Sequence, residues 1–407
     1  AVMMSSLLTL YLSTHSACKG QLLLPVPADP AARGPWPVGR IVLNQTITER
    51  SLHVEVLYPG RVGSEAGKPN AAPDVRVHLP DDQASKIPDC GLWPNPPPSE
   101  PTCCMPKQPY DGVYAELPFD DEHGRYPVIV FIHGTAAFRN YFHQGMASHW
   151  ASRGFVCVMA DYPGINLKDA LTALELHPVP KTDQVGDTEL ILHELERAAR
   201  GEGESEQLAT LLKDRIDLDR LGITGHSAGG YATGELSARH GQVVIPMAGG
   251  GTVPREGKKG DARFSSLIIG GALDTIVPGT IQTKGYDASP APKRHLGVSH
   301  AGHESYSDLC WMAPAQGGIT GVGRSCGVSG AAIFEVLADQ GCTFAKASPS
   351  ASQMANPEEL WALLRYATSA VFEETLHCDV PRMTLALLEL PKRVANASLI
   401  AAWKEEL

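Results

Sequence analysis

The sequence predicts an α/β fold: a mostly parallel central sheet flanked by helices. Three observations carry that expectation. Short apolar runs, each bounded by turn residues, recur from residue 126 to residue 298. Helix-compatible stretches alternate with them, which is the pattern of β-α-β units and a parallel sheet. One run, RLGIT, leads into a helical stretch through the turn Gly225-His226-Ser227-Ala228-Gly229.

The elements follow in chain order. Residues 1–18 (AVMMSSLLTLYLSTHSAC) resemble the end of an export signal, with an apolar stretch and then small residues before Cys18. Ser16-Ala17-Cys18 also resembles a lipoprotein cleavage box, although His15 stands where Leu is usual and no basic segment precedes it. Residues 20–37 read as an extended lead-in punctuated by proline. Strands are expected at 39–46 and 51–58, the second (SLHVEVLY) alternating with period two. Residues 60–112 read as loop.

The regular pattern then begins. Residues 126–133 (YPVIVFIH) and 154–160 (GFVCVMA) are continuous apolar runs, as expected of strands covered on both faces. Between them, 139–153 can form an amphipathic helix. A helix is expected at 188–200, a strand at 220–224, a helix at 228–239, strands at 242–247 and 265–269, and a weaker strand at 294–298. A long helix spans 358–375. Residues 310–356 break the rhythm and read as an insertion or cap. The expected organisation is one domain over 19–407 with insertions at 60–112 and 310–356.

Composition bounds the function. The 407 residues carry 34 Lys and Arg against 45 Asp and Glu, a net charge of −11, where a nucleic-acid partner would need a clustered basic face. That argues against a nucleic-acid partner. Glycine (40) and proline (32) together make about 18% of the chain against a usual ~12%, so many loops are expected on a body whose 43% hydrophobic content still fills a core. No run reaches the ~18 apolar residues of a membrane span.

Of nine cysteines, Cys90, Cys103 and Cys104 fall in one Gly/Pro-rich stretch, Cys310, Cys326 and Cys342 in another, and Cys378 in a late helix-plus-turn. Cysteines in loops suit disulfide staples in an oxidising compartment, hence a secreted or periplasmic protein. Adjacent Cys103-Cys104 lacks the two-residue gap of a zinc knuckle. Pairing stays open, and the odd count leaves at least one free thiol, with Cys157 in GFVCVMA reading as buried.

A Gly-x-Ser-x-Gly turn between strand and helix is a nucleophile elbow. The turn holds Ser227 in a strained conformation above the sheet, at the positive end of a helix. A serine nucleophile needs a base, and the base an orienting carboxylate, in the chain order Ser, acid, His. Asp274 leaves the end of the strand SSLIIGGAL, whereas Asp261 and Asp287 end no apolar strand. The base is His303 or His300, both on the loop after the last expected strand; the small residues before His303 and Tyr306 after it favour His303. His295 and His133 read as structural. Oxyanion donors are expected from the backbone N–H of Ala228 and of Thr135, the latter in the turn after Ile132.

Together these segments resemble the α/β-hydrolase superfamily, nearest to its dienelactone-hydrolase-like, platelet-activating-factor-acetylhydrolase-like and bacterial cutinase-like (polyester hydrolase) serine esterases. The resemblance rests on YPVIVFIHGTAAFRN, HWASRGFVCVMADYPG, GITGHSAGG, LIIGGALDTIVP and AGHESYSDLC. LIIGGALDTIVP is similar to the acid-bearing strand of the cutinase-like enzymes and implies Asp274. AGHESYSD is similar to the acetylhydrolase base segment and implies His303. Thr135 stands where cutinase-like enzymes carry an aromatic, and serine at 227 sets the chain apart from dienelactone hydrolases proper, which use cysteine.

The expected activity is hydrolysis of carboxylic esters through an acyl-enzyme, on a small-molecule or polymeric substrate, with weak contact to a lipid or polymer surface and no cofactor or metal. Amide, lactone or β-diketone hydrolysis would use the same triad, and a non-catalytic binding protein would keep the same fold. Asp120-Asp121-Glu122-His123 offers metal-ligand types but reads as a solvated loop. Asn44-Gln45-Thr46 and Asn396-Ala397-Ser398 match the glycosylation pattern.

Overall fold

A computed structural model of the chain describes residues 25–44, 46–92, 103–254, 265–313, 317–330, 340–342, 354–393 and 398–407. The export-signal reading of 1–18, Asp261, much of 310–356 and parts of both glycosylation matches lie outside them.

Twelve strands are described: β1 (Val38–Val42), β2 (His53–Pro59), β3 (Asp89–Leu92), β4 (Met105–Lys107), β5 (Val113–Ala115), β6 (Tyr126–Ile132), β7 (Val156–Asp161), β8 (Ile216–His226), β9 (Val243–Met247), β10 (Ser265–Gly271), β11 (Lys293–Val298) and β12 (Ile400–Glu406). Ten form one sheet in the order β12-β11-β10-β9-β8-β6-β7-β2-β1-β5, and β3 and β4 pair apart from it. From β11 to β7 every pairing is parallel; β12, β2 and β1 enter antiparallel. The chain therefore has an α/β fold with a mostly parallel sheet. After β6 the chain adds β7 on one side and β8 on the other. That reversal opens a crevice at the strands' carboxyl ends, where open α/β sheets bind ligands.

The helices are α1 (Ser148–Ser152), α2 (Leu167–Leu174), α3 (Gln184–Ala199), α4 (Glu206–Leu212), α5 (Ala228–Leu236), α6 (Gly279–Ala288), α7 (Gly318–Ser325), α8 (Pro357–Leu376) and α9 (Val380–Glu389). They cover both faces. Alternate residues of β6 point to opposite sides: Ile129 and Phe131 pack with Phe372 and Trp361 of α8, while Val128, Val130 and Ile132 pack with Ile191 and Leu195 of α3. The continuous apolar run is thus a strand buried on two sides.

Several expectations are corrected. Residues 139–153 form an irregular segment, a π-turn at His143–Ala147 and the short α1, buried nearly throughout, so no exposed polar face exists for an amphipathic helix. Residues 60–112 contain the 3-10 turn Val75–His78, one helical turn at Asp81–Ala84 and the small β3-β4 sheet. The strand at 294–298 is longer and well buried because β12 covers its outer edge.

Asp120 is no solvated residue. It is 2% exposed and accepts hydrogen bonds from the Trp36 indole (3.0 Å), the Tyr126 hydroxyl and the His123 ring (2.7 Å). A carboxylate so occupied anchors the lead-in segment at Trp36 to β6.

Cys90 pairs with Cys104, and Cys103 with Cys326. Cys342 and Cys378 are also disulfide-bonded, and Cys157 is a free buried thiol. None of the described helices is long and apolar enough to cross a membrane.

Candidate active site

The strand β8 ends at His226, and Ser227 turns the chain into α5 with φ 57° and ψ −121°. An L-residue adopts this conformation only when neighbours enforce it. Here the serine N–H donates to the Met247 carbonyl (3.0 Å), tying the turn to β9. A side chain at Gly229 would place Cβ 2.1 Å from the Ile132 carbonyl oxygen, so only glycine lets α5 start this close to β6.

Asp274 follows β10 and is 4% exposed. Its Oδ1 accepts from the N–H groups of Ile276 (2.9 Å) and Val277 (2.7 Å), which fixes the carboxylate plane. Its Oδ2 lies 2.9 Å from His303 Nδ1, and His303 Nε2 lies 2.9 Å from Ser227 Oγ. A carboxylate only accepts, so Nδ1 carries the proton and Nε2 presents a lone pair to the hydroxyl. Burial disfavours the charged imidazole, but the hydrogen bond to Asp274 and the Glu304 and Asp274 carboxylates outweigh it, raising the His303 pKa above the ordinary histidine value.

His300 is at the surface, Asp287 is exposed on α6, and His295 is buried in β11 with its pKa lowered to about 4 by burial. His133 shapes its loop: its Nε2 accepts from Tyr162 N (3.0 Å), so Nδ1–H donates to the Gly134 carbonyl (2.7 Å). That loop brings Gly134 against Ser227 and leaves Thr135 exposed beside it. Among the described residues neither Thr135 N–H nor Ala228 N–H has an acceptor.

Two neighbours carried no signal in the sequence reading. His226 Nε2 donates to the His303 backbone carbonyl (2.8 Å). Glu304, 4% exposed, receives the hydroxyls of Tyr141 (3.1 Å) and Ser307 (3.0 Å). Their adjacency in sequence to the nucleophile and base was the available clue. The insertion after His303 also contributes: Gln340 accepts from Glu304 N with its carbonyl (3.0 Å) and from Thr275 N with its side chain (3.0 Å), bracing the loops that carry His303 and Asp274.

This geometry sets the context for likeness to known proteins. The structure is similar to a ferulic acid esterase from Streptomyces cinnamoneus, with TM-score 0.50 and 16% identity over 86% of this chain and 92% of that one. The chain has an α/β-hydrolase fold. The chlorophyllase family profile matches residues 115–249 of this chain, a span that holds Thr135 and Ser227 but ends before Asp274 and His303. No curated protein matches it in sequence.

Proposed function

We propose that the chain is a carboxylic ester hydrolase working through an acyl-enzyme on Ser227. The observation that carries this reading is the pair of hydrogen bonds Ser227 Oγ to His303 Nε2 and His303 Nδ1 to Asp274 Oδ2, both 2.9 Å. The family match to chlorophyllase and the likeness to an esterase fold support ester cleavage.

Ser227 Oγ attacks the acyl carbonyl while His303 Nε2 takes its proton. Asp274 keeps the imidazole in the required tautomer and stabilises the cation. The N–H groups of Ala228 and Thr135 receive the oxyanion; each such donor is worth ~10²–10³ in rate. The protonated His303 then gives its proton to the leaving alcohol. It next deprotonates the water that releases the acid. The disulfides support an oxidising, secreted or periplasmic setting.

Hydrolysis of p-nitrophenyl butyrate tests this. Ser227→Ala should lose a factor on the order of 10⁴–10⁶ in kcat and lose labelling by a fluorophosphonate. His303→Ala should fall comparably and His300→Ala should not. A Ser227→Ala protein retaining wild-type turnover overturns the reading.

A further inference from the structure

A cavity of about 420 Å³ opens on the same rim of the sheet as Ser227, displaced toward β7 and β2. Its size is that of a small-molecule site, ~300–1,000 Å³. Phe138 and Arg139, which continue the Thr135 loop, form one wall; Asp161, Lys168, Arg50 and His78 form others.

Its most buried acceptor, Asp161, is already occupied. Asp161 receives the Arg139 N–H (2.7 Å) and guanidinium, and faces His78 Nδ1 (3.3 Å). Asp169, also on the wall, receives Gly164 N (2.6 Å) and Asn166 Nδ2 (2.9 Å).

Its donors are not. Arg50 uses Nε and Nη2 on Asp187 and the Lys181 carbonyl, leaving Nη1 without a partner among the described residues. Lys168 meets the exposed Asp81 at 3.3 Å. The spare N–H groups of Arg50 and Lys168, beside an Asp161 already occupied by Arg139, fit an anionic group. The wall is also preformed, since Arg139 is held from behind by the fully buried Glu55 (3.4 Å).

We propose that this cavity binds a carboxylate at the far end of an ester substrate, making half-esters of dicarboxylic acids the preferred class. The proposal rests on the ester-hydrolase reading. Asp161 ends β7, two strand positions from β8, which carries Ser227. At ~4.8 Å per strand the carboxylate would sit roughly 10 Å from the ester carbonyl.

The test compares kcat/KM at low salt for p-nitrophenyl esters of monoacids with length-matched mono-p-nitrophenyl esters of dicarboxylic acids. The full-length wild type should favour the carboxylate-ended series about tenfold at lengths that reach ~10 Å. The ratio should fall to near parity in Lys168→Ala and Arg50→Gln and invert in Lys168→Glu. Equal rates at every length, or a preference that survives these variants, overturns the proposal. Calorimetry with adipate separates a free acid from a substrate group. Binding without half-ester preference overturns the substrate assignment. If neither series is hydrolysed, the hydrolase reading fails instead. Adipate binding that Lys168→Glu abolishes would then still support the anion site, and absence of binding would refute it.

Discussion

His226 holds His303 by its backbone: the Nε2–H of the residue before the proposed nucleophile Ser227 donates to the carbonyl of the proposed base, 2.8 Å away. The His226 imidazole stays neutral, because burial and the nearby His303 charge push its pKa well below the ordinary value. One bond therefore couples the nucleophile turn to the base loop. Removing it should let the imidazole drift, and misplacement by about 1 Å can cost ~10² in rate. His226→Ala should lower kcat by about 10–10² with KM nearly unchanged, whereas His226→Gln, which keeps a donor, should lose less. Steady-state kinetics on a p-nitrophenyl ester measure both.

Glu304 adds a second carboxylate beside the base. His303 must be neutral to accept the serine proton, so kcat/KM should rise with pH through its pKa. Burial lowers that pKa, but the Asp274 hydrogen bond and the Glu304 and Asp274 charges raise it further. The acid limb of the wild-type profile should thus lie above the ~6.5 of free histidine. Glu304→Gln removes one of the raising charges while keeping an acceptor for Tyr141 and Ser307. Its acid limb should move to lower pH. An unmoved limb with a lowered melting temperature would make Glu304 a packing residue only.

Two glycines should fail in different ways. A Cβ at Gly134 would sit 2.8 Å from the Ser227 Cβ and 3.1 Å from the His226 carbonyl oxygen. Gly134→Ala should therefore disturb the nucleophile, lowering kcat by about 10² at modest cost in stability. At Gly229 the added Cβ meets the backbone of β6, which cannot turn aside. Gly229→Ala should cost about 1–3 kcal/mol or more, as overpacking does. Thermal melts alongside ester kinetics distinguish the two.

Ser227 and Asp274, the proposed nucleophile and acid, stood out in the sequence because each sits where a buried apolar strand ends and its spacing to glycine or proline is local. Between His303 and His300 the local pattern gave only a preference for His303. What separates them is distant chain: Gln340 packs under Gly302 and Glu304, and Ala355 N donates to the His300 carbonyl. The same limit hid β12, whose sequence IAAWKEE becomes a strand only by pairing with β11. Charges misled for a related reason. Glu194 has a charged side chain within the helix expected at 188–200, yet it is 2% exposed and accepts from the N–H of Ser205 (3.4 Å) and of Glu204. Such burial depends on partners that periodicity does not report.

The two pairings at Cys103 and Cys104 should differ in worth. Cys90–Cys104 spans 14 residues of sequence, and Cys103–Cys326 spans 223. The chain-entropy account makes the longer closure more stabilising by about 2 kcal/mol, within a usual range of ~2–5 kcal/mol per native disulfide. The longer link also ties the segment before β4 to the end of α7. β4 in turn packs on the Val75–His78 turn that walls the cavity beside Asp161. Cys103→Ser/Cys326→Ser should therefore lower the unfolding free energy more than Cys90→Ser/Cys104→Ser, measured by denaturant melts under non-reducing conditions. Turnover of a neutral ester should persist in the folded fraction of both. Equal losses would mean that strain or residual structure in the unfolded chain, not loop length, sets the contribution of these bonds.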